Sequence, residues 1–131
     1  MIVDSHCHLD RIKLDAYPNG LVDAVRAANE RGVSHMLCVC ISEENKNAVV
    51  EIAQQFEGIY ASVGIHPSDV KDDLVSVESL REWAQAAKVV AMGETGLDYY
   101  YSREFADQQQ ESFTRHLVVA GELGLPVIVH T

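Results

Sequence analysis

The chain has 131 residues, enough for one domain with a buried core, and 47% of them are hydrophobic, an ordinary share for a globular protein. Ten Lys and Arg face twenty Asp and Glu, a formal net charge of −10, and no basic run or stripe occurs, which excludes a general phosphate-attracting surface. No stretch approaches the ~18 apolar residues of a membrane span, and the first residues lack a basic-then-apolar leader pattern, so the expectation is a cytoplasmic protein with no membrane contact.

A short apolar strand, Ile2-Val3, runs into Asp4-Ser5-His6-Cys7-His8. Helical spacing follows from Leu21 to Glu30, with Leu21, Ala24, Val25 and Ala28 on one face and Gly32 as a stop. Met36 to Ile41 reads as the second strand, and Ser42 opens the second helix with Glu43 and Glu44 in its first turn, favourable against the helix dipole. That helix continues through Val49, Ile52, Ala53 and Phe56. Ile59 to Val63 is the third strand. A third helix from about Ser76 carries Val77, Leu80, Trp83 and Ala84 on one face, and Val89 to Met92 is the fourth strand. A fourth helix spans Phe105 to Leu123 with Phe113, Leu117, Ala120 and Gly121 inward, ended by Gly124 and Pro126 before the fifth strand, Val127 to Val129. Cys7, Cys38 and Cys40 are odd in number and form no C-x-x-C pair, which predicts buried free thiols in a reducing compartment.

Alternating strands and helices predict an α/β fold with a parallel sheet and right-handed crossovers. An open doubly wound sheet normally shows a Gly-rich turn after its first strand, and Ser5 to Asp10 contains no glycine. Polar residues instead crowd the carboxyl ends of the strands: His6 and His8, His66, Glu94 and Asp98, and His130. That distribution favours a TIM (β/α)8 barrel, where catalytic groups gather at that face. A complete barrel needs ~250 residues. Residues 1–131 are therefore read as one incomplete barrel domain of about five strands and four helices. Its first and fifth strands would be open edges, so the 131-residue piece alone is expected to fold poorly and to show little activity.

The site chemistry starts from His6 and His8. One residue apart on a strand, they face the same way, and two neutral imidazoles can share a divalent cation. Asp4 has the same parity and could orient a ligand. Glu94, just past the fourth run in Gly93-Glu94-Thr95-Gly96, is of the type that bridges two cations, or it caps the next turn. Asp98 either orients a ligand or is structural. His130 ends an apolar run and needs a polar partner, which a metal would be. His66, in Gly64-Ile65-His66-Pro67, could bind substrate, hydrogen-bond a phosphate, transfer a proton, or simply pack on Pro67. Tyr99, Tyr100 and Tyr101 could stack on bases, though not all three on one site. His35 and His116 read as structural or exposed.

Ser5-His6-Cys7-His8-Leu9-Asp10, Gly64-Ile65-His66-Pro67, Gly93-Glu94-Thr95-Gly96-Leu97-Asp98-Tyr99-Tyr100, Gln109-Gln110-Glu111-Ser112-Phe113 and Pro126-Val127-Ile128-Val129-His130-Thr131 closely resemble the TatD family of metal-dependent hydrolases. The resemblance covers the chain in order. It implies a TIM-barrel hydrolase with two divalent ions and deoxyribonuclease activity, often as a 3′→5′ exonuclease. It implies that His6 and His8 hold the first metal, Glu94 bridges both, His130 holds the second, and His66 lies near the substrate phosphate. It also implies a further histidine after a sixth strand and an aspartate after an eighth, which this sequence does not contain.

The expectation is thus a two-metal phosphodiesterase acting on DNA, with zinc, manganese or iron suiting the ligands better than magnesium. No stable protein partner is expected. A related hydrolase of a small-molecule C–N or C–O bond is the alternative, kept open by the acidic balance. An inactive half-barrel is a further one.

Overall fold

The computed structural model describes residues 1–131. Five strands alternate with four helices: β1 (Ile2–Cys7), α1 (Leu21–Glu30), β2 (Val33–Cys38), α2 (Glu43–Gln55), β3 (Ile59–Val63), α3 (Val77–Trp83), β4 (Val89–Gly96), α4 (Ala106–Leu123) and β5 (Val127–His130). Short 3-10 turns at Pro67–Asp69 and Arg103–Phe105 precede α3 and α4.

All pairings are parallel and the sheet order is β1-β2-β3-β4-β5. Each strand is laid beside its predecessor with no reversal of direction across the sheet. A doubly wound sheet reverses part-way, so the order is that of a (β/α)8 barrel's first five strands. β1 and β5 are the edges. Ile2 and Val3 on β1 are 54% and 57% exposed, and Val129 on β5 is 48% exposed.

The helix starts follow local chemistry. Ser42 caps α2 by accepting the Asn45 amide, and the Asn45 side chain returns the bond to the Ser42 amide. Ser76 caps α3 through the Ser79 amide. Gly124 ends α4 in the left-handed conformation that glycine adopts without cost. The core lies between helices and sheet in two clusters. Val25, Met36, Cys38, Val49, Ala53 and Ile59 pack under α1 and α2, and Val63, Leu80, Met92, Val119 and Ala120 pack under α3 and α4.

Three sequence expectations change. β2 runs from Val33 to Cys38 rather than from Met36 to Ile41, because its ladder to β1 begins at the Ile2–Val33 pair. β4 extends to Gly96, so Glu94 stands within the strand and not in a loop after it. The inward face of α4 is Gln109, Ser112, His116, Val119 and Ala120, while Leu117 is 46% exposed and Gly121 also faces out. Apolar periodicity misplaced that face because three of its five residues are polar, and Gln109 and His116 are satisfied by bonds within the fold. The Gln109 side chain bonds the Asp98 amide and the Asp98 and Ser102 carbonyls. His116 is buried, its Nδ1 bonding the Ser112 carbonyl at 2.7 Å while its Nε2 accepts the Ile65 amide at 3.0 Å.

Candidate metal centre

The GETG segment brings β4 and β5 together. Gly96 is paired with His130 at a φ of +141°, and a Cβ there would lie 2.1 Å from the His130 carbonyl oxygen. Gly93, at φ +143°, would place a Cβ 2.7 Å from the Ile128 carbonyl. Only glycine allows this approach, and it sets the Glu94 carboxylate beside the His130 ring.

Glu94 is the centre of the arrangement, and its side chain is 9% exposed. Oε1 lies 3.0 Å from His6 Nε2, while Oε2 lies 3.2 Å from His66 Nε2 and 3.0 Å from His130 Nδ1. One carboxylate therefore faces three imidazoles from β1, the loop after β3, and β5. Two donor sets result, His6–His8–Glu94 and His66–Glu94–His130, each with one ligand atom per residue inside 4.8 Å of the others.

The orientation of each ring decides what it can offer. His8 Nδ1 sits 3.2 Å from the Val39 carbonyl. A hydrogen on Nδ1 donated there leaves the Nε2 lone pair free for a cation. His130 Nε2 lies 3.2 Å from Asp98 Oδ2, which leaves Nδ1 turned to Glu94. A carboxylate behind an imidazole is the usual support of a metal-ligating histidine. His66 differs. Its Nδ1 accepts the Ser68 amide at 3.0 Å, so in the neutral ring the hydrogen sits on Nε2, which bonds His130 Nδ1 at 3.2 Å and lies 3.2 Å from Glu94 Oε2. Burial pushes the His66 imidazole below its ordinary value, the His130 ring adds to this, and Glu94 opposes it. His66 is thus arranged as a hydrogen-bond donor rather than as a lone-pair ligand.

Asp98 does two things. Its Oδ1 accepts the Tyr100 and Tyr101 amides at 3.1 Å each, and its Oδ2 faces His130. The Tyr101 amide first, then His130 and the Tyr100 amide, hold its carboxyl below the usual carboxylate range. Asp4 sits elsewhere than its parity suggested: its carboxylate accepts the His6 main-chain amide at 3.1 Å, so it braces the strand and not the ring. Tyr99 accepts a bond from Gln110 Nε2 at 2.8 Å, and Tyr100 and Tyr101 are 86% and 80% exposed. His35 is exposed, beside Tyr60 at the opposite end of the sheet. The thiols are free, and burial raises Cys7 to about 12 and Cys40 to about 11, so neither is a thiolate ligand or nucleophile at neutral pH.

The donor set fits a divalent metal. A buried carboxylate with imidazole nitrogens, two of them backed by oxygen acceptors, suits zinc, manganese or iron. Sequence reasoning found every one of these ligand-type residues. It missed Arg11, which lines the same cleft, and it missed that His116 and Gln109 fix the loops beneath His66 and Asp98.

Comparison with known proteins agrees. Residues 3–131 match the family model described as TatD related DNase. An Escherichia coli K12 protein described as an uncharacterized metal-dependent hydrolase, YcfH, is 39% identical over 130 residues, which are 99% of this chain and 49% of that protein. The 3′-5′ ssDNA/RNA exonuclease TatD of Cronobacter sakazakii is 36% identical over 109 residues, 82% of this chain and 41% of that protein. The crystal structure of the E. coli TatD homologue YjjV superposes with a TM-score of 0.78 at 31% identity, covering 98% of this chain and 50% of that one. The chain spans about half the length of the curated relatives it matches. No helix is long and apolar enough to cross a membrane. With a family match over nearly every residue and a half-barrel to go with it, the chain belongs to the TatD family of metal-dependent hydrolases.

Proposed function

We propose that this chain carries most of the two-metal site of a phosphodiesterase acting on DNA, of the 3′→5′ exonuclease type, within a single barrel domain in the cytoplasm. One observation carries the reading: the two oxygens of Glu94 face different histidine groups. In this reading His6 and His8 hold one cation, His130 holds the other, and Glu94 serves both. Bound divalent ions supply positive charge that acidifies water and offsets the charge developing on phosphate oxygens.

The chain's own residues do the rest. Glu94, buried among imidazoles, keeps its two oxygens aimed apart because Gly93 and Gly96 fix the strand around it. His66 presents its Nε2 hydrogen to a substrate phosphate oxygen once His130 Nδ1 is engaged elsewhere, with the Ser68 amide holding the tautomer. Asp98 fixes the His130 ring. The relative described as a ssDNA/RNA exonuclease supports the nucleic acid substrate. Three free thiols, two of them buried, support the cytoplasmic placement.

A second reading, hydrolysis of a small-molecule C–N or C–O bond, is favoured by the charge of −10. Parallel assays separate the two. The purified, metal-loaded protein that carries this chain within a complete barrel is given a 3′-labelled single-stranded oligonucleotide and a panel of neutral lactones and amides. The proposal expects chelator-sensitive release of nucleotides from the 3′ end, lost in Glu94→Ala. Turnover of the neutral panel alone replaces the first reading with the second. Full metal-dependent cleavage by Glu94→Ala removes the role given to Glu94.

A further inference from the structure

An open cleft of about 550 Å³ contains the histidine–carboxylate cluster. Of its nine lining residues only Arg11 is a lysine or arginine, and the remaining charged groups are the carboxylates of Asp69 and Glu94. The Arg11 amide donates to the His8 carbonyl at 3.0 Å. That tight turn keeps the two Cα atoms within about 7 Å, so Arg11 rises beside a proposed metal ligand. Its side chain is 58% exposed.

Nothing in the fold engages the guanidinium closely. The neighbouring carboxylate, Asp10, is 4.0 Å away from Arg11 Nε, beyond hydrogen-bonding reach. Asp10 Oδ2 instead accepts from Asn45 Nδ2 at 3.1 Å, and Oδ1 is buried without a partner. A planar fork of donors left open at the mouth of a cleft matches a phosphate or carboxylate, and it costs little to desolvate compared with an ammonium. In a chain this acidic, a lone cation at that place also sets the sign of what enters.

We infer that Arg11 is an anion-binding residue of the cleft, taking the phosphate adjacent to the one being hydrolysed, and that it directs the site toward polyanionic phosphodiesters over neutral esters and amides. This rests on the hydrolytic reading of the site, and it predicts a readout that does not require turnover. Arg11 contacts substrate in the bound complex and holds no metal.

The test is binding of a fluorescent, cleavage-resistant phosphorothioate oligonucleotide to the metal-loaded protein that carries this chain within a complete barrel, across a salt series, for the parent, Arg11→Gln and Arg11→Lys. Thermal melts confirm that each is folded. Arg11→Gln is expected to weaken binding about tenfold at low salt and to flatten the slope of log affinity against log salt by about 0.7, the increment for one phosphate contact on a single strand. Arg11→Lys restores the slope and part of the affinity, because it keeps the charge and loses the fork. An Arg11→Gln protein with unchanged affinity and slope overturns the inference, and so does one whose sole change is a lower melting temperature, since that assigns Arg11 to pairing with Asp10. Cleavage of the unmodified oligonucleotide is scored separately. An Arg11-dependent salt slope without cleavage upholds the anion site and refutes the phosphodiesterase reading, whereas cleavage with an Arg11-independent slope refutes the anion site alone.

Discussion

Two clefts of about 550 Å³ each open at opposite ends of the sheet. At the amino ends of β2 and β3, half of the lining residues are apolar, among them Val25, Met36 and Ile59. At the carboxyl ends only Ile41 is. The polar groups at the two ends are balanced differently. At the amino end the protein brings its own cation: Lys88, at a φ of +70°, donates to the carbonyls of Ala53, Phe56 and Glu57 where α2 finishes, and lies over the Tyr60 ring. The Ala53 carbonyl is one that a helix end leaves unpaired, and the positive group complements the helix dipole. At the carboxyl end Glu94 is more enclosed than Lys88, yet its neighbours are three imidazoles and no ammonium or guanidinium. A region that satisfies its polar groups with its own chain is finished as it stands. One that gathers acceptors without a fixed cation is built to receive one.

The largest effect is expected at Glu94. Replacing it with glutamine keeps the volume and removes the charge that two cations would share. Activity should fall on the order of 10³-fold or more, as for loss of a central electrostatic element, and elemental analysis should find fewer bound ions per chain. Equal metal content and equal turnover would mean that the carboxylate is structural, like the carbonyls around Lys88.

Asp98→Asn sharpens the same end. The ring of His130 keeps a neighbour but loses the charge behind it, and metal affinity at that side should drop by about 10- to 100-fold, read by chelator competition. Lys88→Met probes the other end. It should cost roughly 1–3 kcal/mol in urea unfolding, the scale of hydrogen bonds to a charged group, with metal affinity unchanged. A loss of metal binding in Lys88→Met would show that the two ends are coupled through β3 and β4.

The smallest effect is expected at His116, between the two ends. Burial holds its imidazole below the ordinary histidine value, so the folded ring is neutral with Nε2 accepting the Ile65 amide. Above pH ~6.5 the ring is neutral folded or unfolded and adds no pH dependence. As pH falls below that value the unfolded chain takes up a proton that the folded one refuses, and stability declines toward the depressed value. His116→Gln keeps an acceptor for Ile65 and cannot titrate. It should cost about 1 kcal/mol at pH 7.5 and lose less stability than the parent between pH 7 and 5. Identical pH profiles would place the acid sensitivity in other groups.

The 131-residue polypeptide by itself should expose the apolar edges at Ile2, Val3 and Val129. Concentration-dependent association in sedimentation is the expected result, and a monodisperse monomer would show that the open edges are tolerated.

Much of this was legible in the residues. H-x-H, GETG and the final VIVH each follow an apolar run, and a parallel sheet places the ends of such runs on one face, so the ligand types could be gathered without coordinates. Gly124, Ser42 and Ser76 marked helix ends because capping is a property of a few adjacent residues. The inward face of α4 was not legible, since Gln109 and His116 are buried through bonds to Asp98, Ser102 and Ile65, partners that periodicity cannot see. Arg11 was passed over because an isolated arginine after a turn has no pattern.

The sequence alone therefore determined the order of elements, the parallel sheet and the identity of the metal-type side chains, all of which depend on local spacing. Tertiary structure decided which oxygen of Glu94 meets which histidine, that His66 offers a hydrogen and not a lone pair, and that Asp4 braces a strand while Asp98 backs a ring. Those are questions of ångströms between residues as far apart as 6 and 94 or 66 and 130, and they are answered only when the glycines of β4 let β5 close against it.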